Sequence, residues 1–132
     1  LAIAMAKLWK RSVLGGDNDP EAVEVAQENA ALNGVPQLCS FFVSAGLQAA
    51  ELSGRAPYDL VVANILAGPL LDLAEEFGAA VRPGGRVLLS GLLVEQAAGI
   101  LSGYERCGFS FERRIDLETG GAWWRSLVLR RS

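Results

Sequence analysis

The fold is decided by the sequence YDLVVANILAGPL at residues 58–70. Residues 58–63 have the apolar pattern of a strand buried on both faces of a parallel sheet. An amide side chain, Asn64, stands where that strand ends, and an amide is costly to bury without a partner. Because ligands bind at the carboxyl ends of strands in open α/β sheets, Asn64 is a candidate to hold an amine or amide. It is equally well placed to cap a helix that starts near Pro69.

The rest of the chain alternates between helical and strand patterns around this stretch. Asp19 and Pro20 mark a helix start, while Asn33 and Gly34 mark its end. The order predicts an α/β fold with a mainly parallel, doubly wound sheet, one reversed strand and a terminal antiparallel hairpin. The predicted helices are 1–9, 20–32, 47–52, 69–81 and 93–104, and the predicted strands are 12–17, 38–43, 58–63, 86–90, 109–117 and 122–129.

Composition narrows the class of protein further. The 132 residues are 51% hydrophobic, which suits one domain with a covered sheet, and the net charge of −3 gives no footprint for nucleic-acid binding. The chain has no histidine, which excludes histidine zinc sites, histidine-based nucleophile triads and histidine general bases. Its two cysteines match no metal spacing. No apolar run reaches membrane length and no signal-peptide pattern is present, so the expected location is the cytoplasm.

A nucleotide site is indicated at Asp17, which follows a buried strand and precedes a helix. An acid in that position accepts hydrogen bonds from ribose hydroxyls in nucleotide-binding α/β domains. Helix capping is the alternative, but Asp19 already fills that role. Asn18 is a second candidate, which could reach the edge of an adenosine.

Four further features have less specific interpretations. The small residues Ser44, Ala45 and Gly46 follow the next strand, where they form either a close approach to a purine or an ordinary turn. The turn at residues 82–85 is expected to aim the following strand. Trp123 and Trp124 are adjacent in a strand and therefore point to opposite faces, one into the core and the other toward a substrate entrance. The arginines near the end are expected to form a solvated edge: Arg125, Arg130 and Arg131.

Several of these segments together resemble one enzyme family. They are residues 17–20, 29–35, 62–70, 83–85 and 90–97. The combination is similar to the bacterial methyltransferases of ribosomal large-subunit protein eleven, the PrmA family, and the similarity spans nearly the whole chain. Residues 62–70 and 90–97 are specific to that family, whereas the Pro-Gly-Gly turn is general to class I methyltransferases.

The resemblance implies a Rossmann-like class I fold and an S-adenosylmethionine cofactor. It also implies methyl transfer to lysine ε-amines or an N-terminal amine of a ribosomal protein. By resemblance, Asp17 lies on the cofactor ribose and the Ser44-Ala45-Gly46 region lies by the adenine. Asn64 lies at the methyl-transfer centre, where it contacts both cofactor and acceptor.

The family pattern also contains parts with no counterpart here. These are an N-terminal substrate-recognition domain and, before the helix that Leu1 begins, a first strand with a glycine-rich loop. We therefore expect residues 1–132 to be a partial methyltransferase domain, similar to the C-terminal two-thirds of the catalytic domain. The incomplete sheet predicts self-association, and the missing loop predicts that this chain alone binds S-adenosylmethionine weakly and is inactive.

Other functions remain open at this point. One is methylation of a glutamine amide, a nucleobase or a small-molecule amine. Residues 65–67 carry no aromatic surface on which a planar acceptor would stack, which disfavours the amide and the base. Another is a non-catalytic α/β remnant that serves as an interaction module. A domain that binds NAD is a third, weakened by the terminal hairpin because such domains add further crossover units.

Overall fold

The computed structural model describes all 132 residues, which form six α-helices, one 3₁₀ helix (Val94–Gln96) and six strands. The chain divides into two compact units, Leu1–Arg55 and Ala56–Ser132. The helices are α1 Ala2–Trp9, α2 Pro20–Leu32, α3 Ala50–Ser53, α4 Ala67–Asp72, α5 Ala74–Ala80 and α6 Ala97–Arg106. The strands are β1 Val13–Asp17, β2 Cys39–Val43, β3 Tyr58–Asn64, β4 Val81–Leu93, β5 Phe109–Thr119 and β6 Ala122–Arg131. None of the helices is both long enough and apolar enough to cross a membrane.

The first unit is built on a parallel pair of strands. β1 and β2 run in register from Val13 opposite Cys39 to Asp17 opposite Val43. Helix α2 begins where the sequence predicts it, because the Asp19 side chain accepts a hydrogen bond from the Glu21 backbone N–H at 2.9 Å. Small and branched apolar side chains fill the core of this unit: Ala6, Ala30, Val35 and Cys39, with Ile3, Val13, Leu38 and Phe41 packed against them.

The second unit contains a four-stranded sheet in the order β3-β4-β6-β5. β3 and β4 are parallel, and β6 runs antiparallel to both β4 and β5. This confirms the predicted α/β class with one reversed strand and a terminal hairpin. The aromatic centre of the core is Tyr104, whose ring centroid lies 6.3 Å from that of Phe77 and 5.6 Å from that of Phe109.

The structure corrects two predicted elements. The helix expected over 69–81 is divided at Leu73, where φ is −85° and ψ is 0°. Backbone hydrogen bonds continue on both sides of that residue, so the interruption is local. The turn expected at 82–85 lies inside β4, which advances five residues between Val81 and Arg86 while β3 advances two. Those extra residues bulge out of the ladder, and Arg82 pairs with Asp59 of β3.

Candidate functional site

The carboxyl ends of β1 and β2 bring Asp17 and Ser44 together in the first unit. The Ser44 backbone N–H donates to the Asp17 carbonyl at 2.8 Å, which extends the ladder by one bond beyond the strands. The Asp17 side chain is exposed, and its Oδ1 accepts the Asp19 backbone N–H at 2.9 Å. The other carboxylate oxygen has no protein partner. Asp17 therefore presents a fixed, solvent-facing acceptor, as a ribose-binding acid would.

The neighbouring Asn18 is also exposed, and its amide makes no hydrogen bond within the protein. Asp19, in contrast, is committed to the start of α2 through its bond to Glu21. Asp19 is therefore the helix cap, as the sequence predicts. Asn18 and Asp17 remain available to a ligand.

The loop after β2 is shaped by the Ser44 hydroxyl. It donates to the Gly46 carbonyl at 2.9 Å and accepts the Ala49 backbone N–H at 3.0 Å, and the side chain is buried. Gly46 takes a positive φ of 57°, which a residue with a side chain rarely adopts. Ala45 is exposed at the tip. The hydroxyl therefore fixes the loop, and the surface offered to a ligand comes from Ala45 and the Gly46 backbone.

Gly16 is a contributor to this loop that the sequence pattern did not single out. A Cβ on Gly16 would lie 2.8 Å from the Leu52 Cδ1 and 3.4 Å from the Gly46 carbonyl oxygen. A side chain at this position would press against Leu52, so glycine favours the close packing of the loop on the end of β1. The adjacent glycines before Asp17 were the available signal.

Asn64 ends β3 in the second unit, opposite Ser90 of β4. Its side chain is exposed and makes no hydrogen bond within the protein. Helix α4 has Leu66 at its N-cap and no side-chain cap, so Asn64 does not cap the following helix. The amide is thus free to serve a ligand.

The Asn64 side chain lies close to Gly91. A Cβ on Gly91 would lie 2.6 Å from Asn64 Oδ1, and φ of Gly91 is 79°. The amide therefore lies directly over the backbone of the neighbouring strand. Residues 90–97 indicate a family resemblance in the sequence, but nothing in that pattern predicts the contact of Gly91 with Asn64.

The two tryptophans correct an expectation. Neither is in the core, since Trp123 is 57% exposed and Trp124 is 38% exposed. The buried part of β6 starts at Leu127, and the hairpin extends beyond it. Trp123 lines a groove of about 500 Å³ beside the tip of the β5–β6 hairpin.

The arginines near the end of the chain are more engaged than a solvated edge would be. Arg125 makes a bidentate ion pair with Asp116, with N–O distances of 2.7 and 2.8 Å. That hydrogen bonding lowers the pKa of the Asp116 carboxyl. Arg131 donates to the carbonyls of Gly78 and Gly108. Arg130 is exposed, as predicted.

Comparison with known proteins gives the same family as the sequence motifs. Residues 1–131 match the family described as ribosomal protein L11 methyltransferase (PrmA). A ribosomal protein L11 methyltransferase from Bradyrhizobium diazoefficiens is 42% identical over 131 residues. That match covers 99% of this chain and 43% of the relative, so the chain spans less than half of its length.

Solved structures agree with this result. The crystal structure of a ribosomal protein L11 methylase from Lactobacillus delbrueckii subsp. bulgaricus superposes with a TM-score of 0.83 at 32% identity, covering 99% of this chain and 64% of that one. A methyltransferase from Pyrococcus furiosus has a TM-score of 0.80 at 22% identity, with 98% and 68% covered, and shows the shared fold alone. The chain belongs to the ribosomal protein L11 methyltransferase family.

Proposed function

We propose that this protein is part of an S-adenosylmethionine-dependent N-methyltransferase that modifies ribosomal protein L11 on lysine ε-amines or on the N-terminal amine. The observation that carries the proposal is the unpaired, exposed amide of Asn64, which lies over Gly91 at the carboxyl end of β3. The family to which the chain belongs and the names of its relatives support the proposed reaction class and substrate protein. Ribosomal proteins are made in the cytoplasm, so that is the proposed location.

The first unit offers hydrogen-bonding groups that suit the nucleoside part of the cofactor. Asp17 presents an unpaired carboxylate oxygen for ribose hydroxyls, and Asn18 adds an amide beside it. Ala45 and the Gly46 backbone, held by Ser44, would lie by the adenine. The bound cofactor would supply an activated methyl group. Asp17, Asn18 and the Ser44-Ala45-Gly46 loop fit a nucleoside, and we assign them to it.

Asn64 would act by positioning. Its Oδ1 can accept an N–H of the incoming amine, which fixes the direction of the nitrogen lone pair. An amine must be neutral to react, and burial away from water lowers its pKa, so a basic side chain is not required. Holding two reactants in a near-attack geometry is a sufficient source of a large rate enhancement.

The test is methyl transfer by the whole protein that the gene encodes. Recombinant ribosomal protein L11 is incubated with the enzyme and methyl-labelled S-adenosylmethionine, and the label is mapped by peptide mass spectrometry. We expect label on lysine side chains or on the α-amine, and none on L11 whose amines have been acetylated. Label on glutamine amides or on ribosomal RNA, or no label at all, would contradict the proposal.

A further inference from the structure

A groove opens in the second unit between the 3₁₀ turn Val94–Gln96 and the tip of the β5–β6 hairpin. Its volume of about 500 Å³ lies within the range of small-ligand sites. Leu93 and Val94 supply apolar surface on one side, and Trp123 forms the opposite wall. It is large enough for one or two long side chains.

The groove lies at the same end of the sheet as Asn64. Asn64 is opposite Ser90, and Leu93, three residues further along β4, is opposite Trp124. A strand rises about 3.3 Å per residue. Because a register shift between Leu89 and Leu92 shortens this part of β4, the groove begins within about 10 Å of the Asn64 position along the strand. An extended peptide spans that distance in about three residues.

The charges around the groove are unequal. Asp116 and Arg125 lie on one face of the hairpin and neutralise each other through their bidentate pair. The Arg114 Nε lies 3.7 Å from Asp116 Oδ2. The carboxylates of Glu95 and Glu118 have no hydrogen-bond or ion-pair partner. The charged residues that line the groove are Glu95, Asp116 and Arg125, which gives it a net charge of −1.

Glu95 and Trp123 line the groove together, and both side chains are exposed. A cation within about 6 Å of a tryptophan face is attracted by the ring, and a nearby carboxylate adds to that attraction. The alkyl stem of a long basic side chain packs well on apolar surface. Lysine and arginine combine both properties.

We propose that this groove binds a second basic side chain, lysine or arginine, of the protein substrate, about three residues from the nitrogen that is methylated. The inference rests on the proposed function, because it takes Asn64 as the methyl-transfer position. Glu95 would pair with the cation, and Trp123 would cover it. The groove would thereby select target lysines that lie near another basic residue.

The experiment uses the whole protein that the gene encodes and four synthetic peptides. Each peptide has one lysine, with arginine or glutamine three residues before or after it. We expect kcat/KM to be about fivefold higher for at least one arginine peptide than for its glutamine partner, from an ion pair and a cation–π contact at an exposed site. Glu95→Gln and Trp123→Ala should each bring that ratio close to one. Glu105→Gln, the same change on the exposed face of α6, should keep the ratio of the unaltered protein.

Peptide binding, measured by fluorescence anisotropy, separates this inference from the proposed function. Arginine-selective binding that needs Glu95, without methylation of any peptide or of whole L11, would support the groove and overturn the proposed function. Methylation with equal kcat/KM for arginine and glutamine peptides would overturn the groove alone. A preference that survives Glu95→Gln would also overturn it.

Discussion

Gly91 of β4 lies beside Asn64 of the neighbouring strand β3. The Asn64 amide occupies the space that a side chain on Gly91 would need. A Cβ on Gly91 would lie 2.6 Å from Asn64 Oδ1, well inside contact distance. The positive φ of 79° at Gly91 adds a second reason for glycine. Gly91 of the neighbouring strand therefore leaves the space that the amide occupies.

Gly91→Ala should displace the Asn64 amide and impair methyl transfer. We expect kcat of the whole protein to fall tenfold or more, since misplacement by about 1 Å has effects of that order. Because alanine is strained in the left-handed backbone conformation, the substitution should also lower the free energy of unfolding by about 1–2 kcal/mol. Gly99→Ala is the control, because a Cβ there meets nothing within 4 Å, and it should keep normal activity. A normal kcat in Gly91→Ala would separate this glycine from the reaction.

Asp17→Ala should weaken the binding of S-adenosylmethionine. The loss of a hydrogen bond to a charged group predicts a change of about 1.5–3 kcal/mol in the binding free energy, measured by calorimetry. Asp19→Ala is the matched control, because it removes the cap of α2 and should reduce stability by about 1 kcal/mol without affecting the cofactor. An unchanged dissociation constant in Asp17→Ala would remove Asp17 from the ribose site.

Tyr104→Phe should destabilise the second unit. The buried Tyr104 hydroxyl donates to the Leu70 carbonyl at 2.8 Å, and Leu70 is itself fully buried. Leaving that carbonyl unpaired is expected to cost about 1–3 kcal/mol, measured by urea unfolding at neutral pH. An equal unfolding midpoint for the variant and the unaltered protein would contradict this.

The same tyrosine predicts a dependence of stability on alkaline pH. Burial raises the pKa of the Tyr104 phenol above its ordinary value. The unfolded chain therefore releases this proton first as the pH rises above about 10, and folded stability declines over that range. Tyr104→Phe should lack this part of the decline. Parallel stability curves for the two proteins above that pH would show that the phenol is not involved.

The 132-residue chain by itself should self-associate. β3 is an edge strand of its sheet, and β1 has only β2 as a partner, so both strands have one side on which no strand pairs. Such edges pair readily with other chains. Sedimentation velocity should show species larger than a monomer, and calorimetry should show weak cofactor binding or none. A monomer that binds S-adenosylmethionine with micromolar affinity would contradict both expectations.

Local patterns predicted the order of elements well. Asp19 and Pro20 mark the start of α2 as expected, because capping depends on nearby residues. The break at Leu73 and the bulge at 82–85 were not predictable, since each depends on packing and pairing with distant residues.

The candidate site also combines features that nearby residues predict with features that depend on distant residues. Asn64 was identified from its place after an apolar strand, whereas its contact with Gly91 depends on the register of β3 against β4. The exposure of both tryptophans depends on how far the hairpin extends beyond the core, which an alternating pattern does not reveal.

Asn64→Ala in the whole protein that the gene encodes is the most direct test of the proposed mechanism. A residue that positions the acceptor amine should affect kcat and leave cofactor binding intact. We predict a fall in kcat of about 100-fold or more, with the dissociation constant of S-adenosylmethionine nearly unchanged. Asn29→Ala, on the exposed face of α2, should behave like the unaltered protein in both measurements. Near-normal turnover in Asn64→Ala would contradict the central role given to this amide.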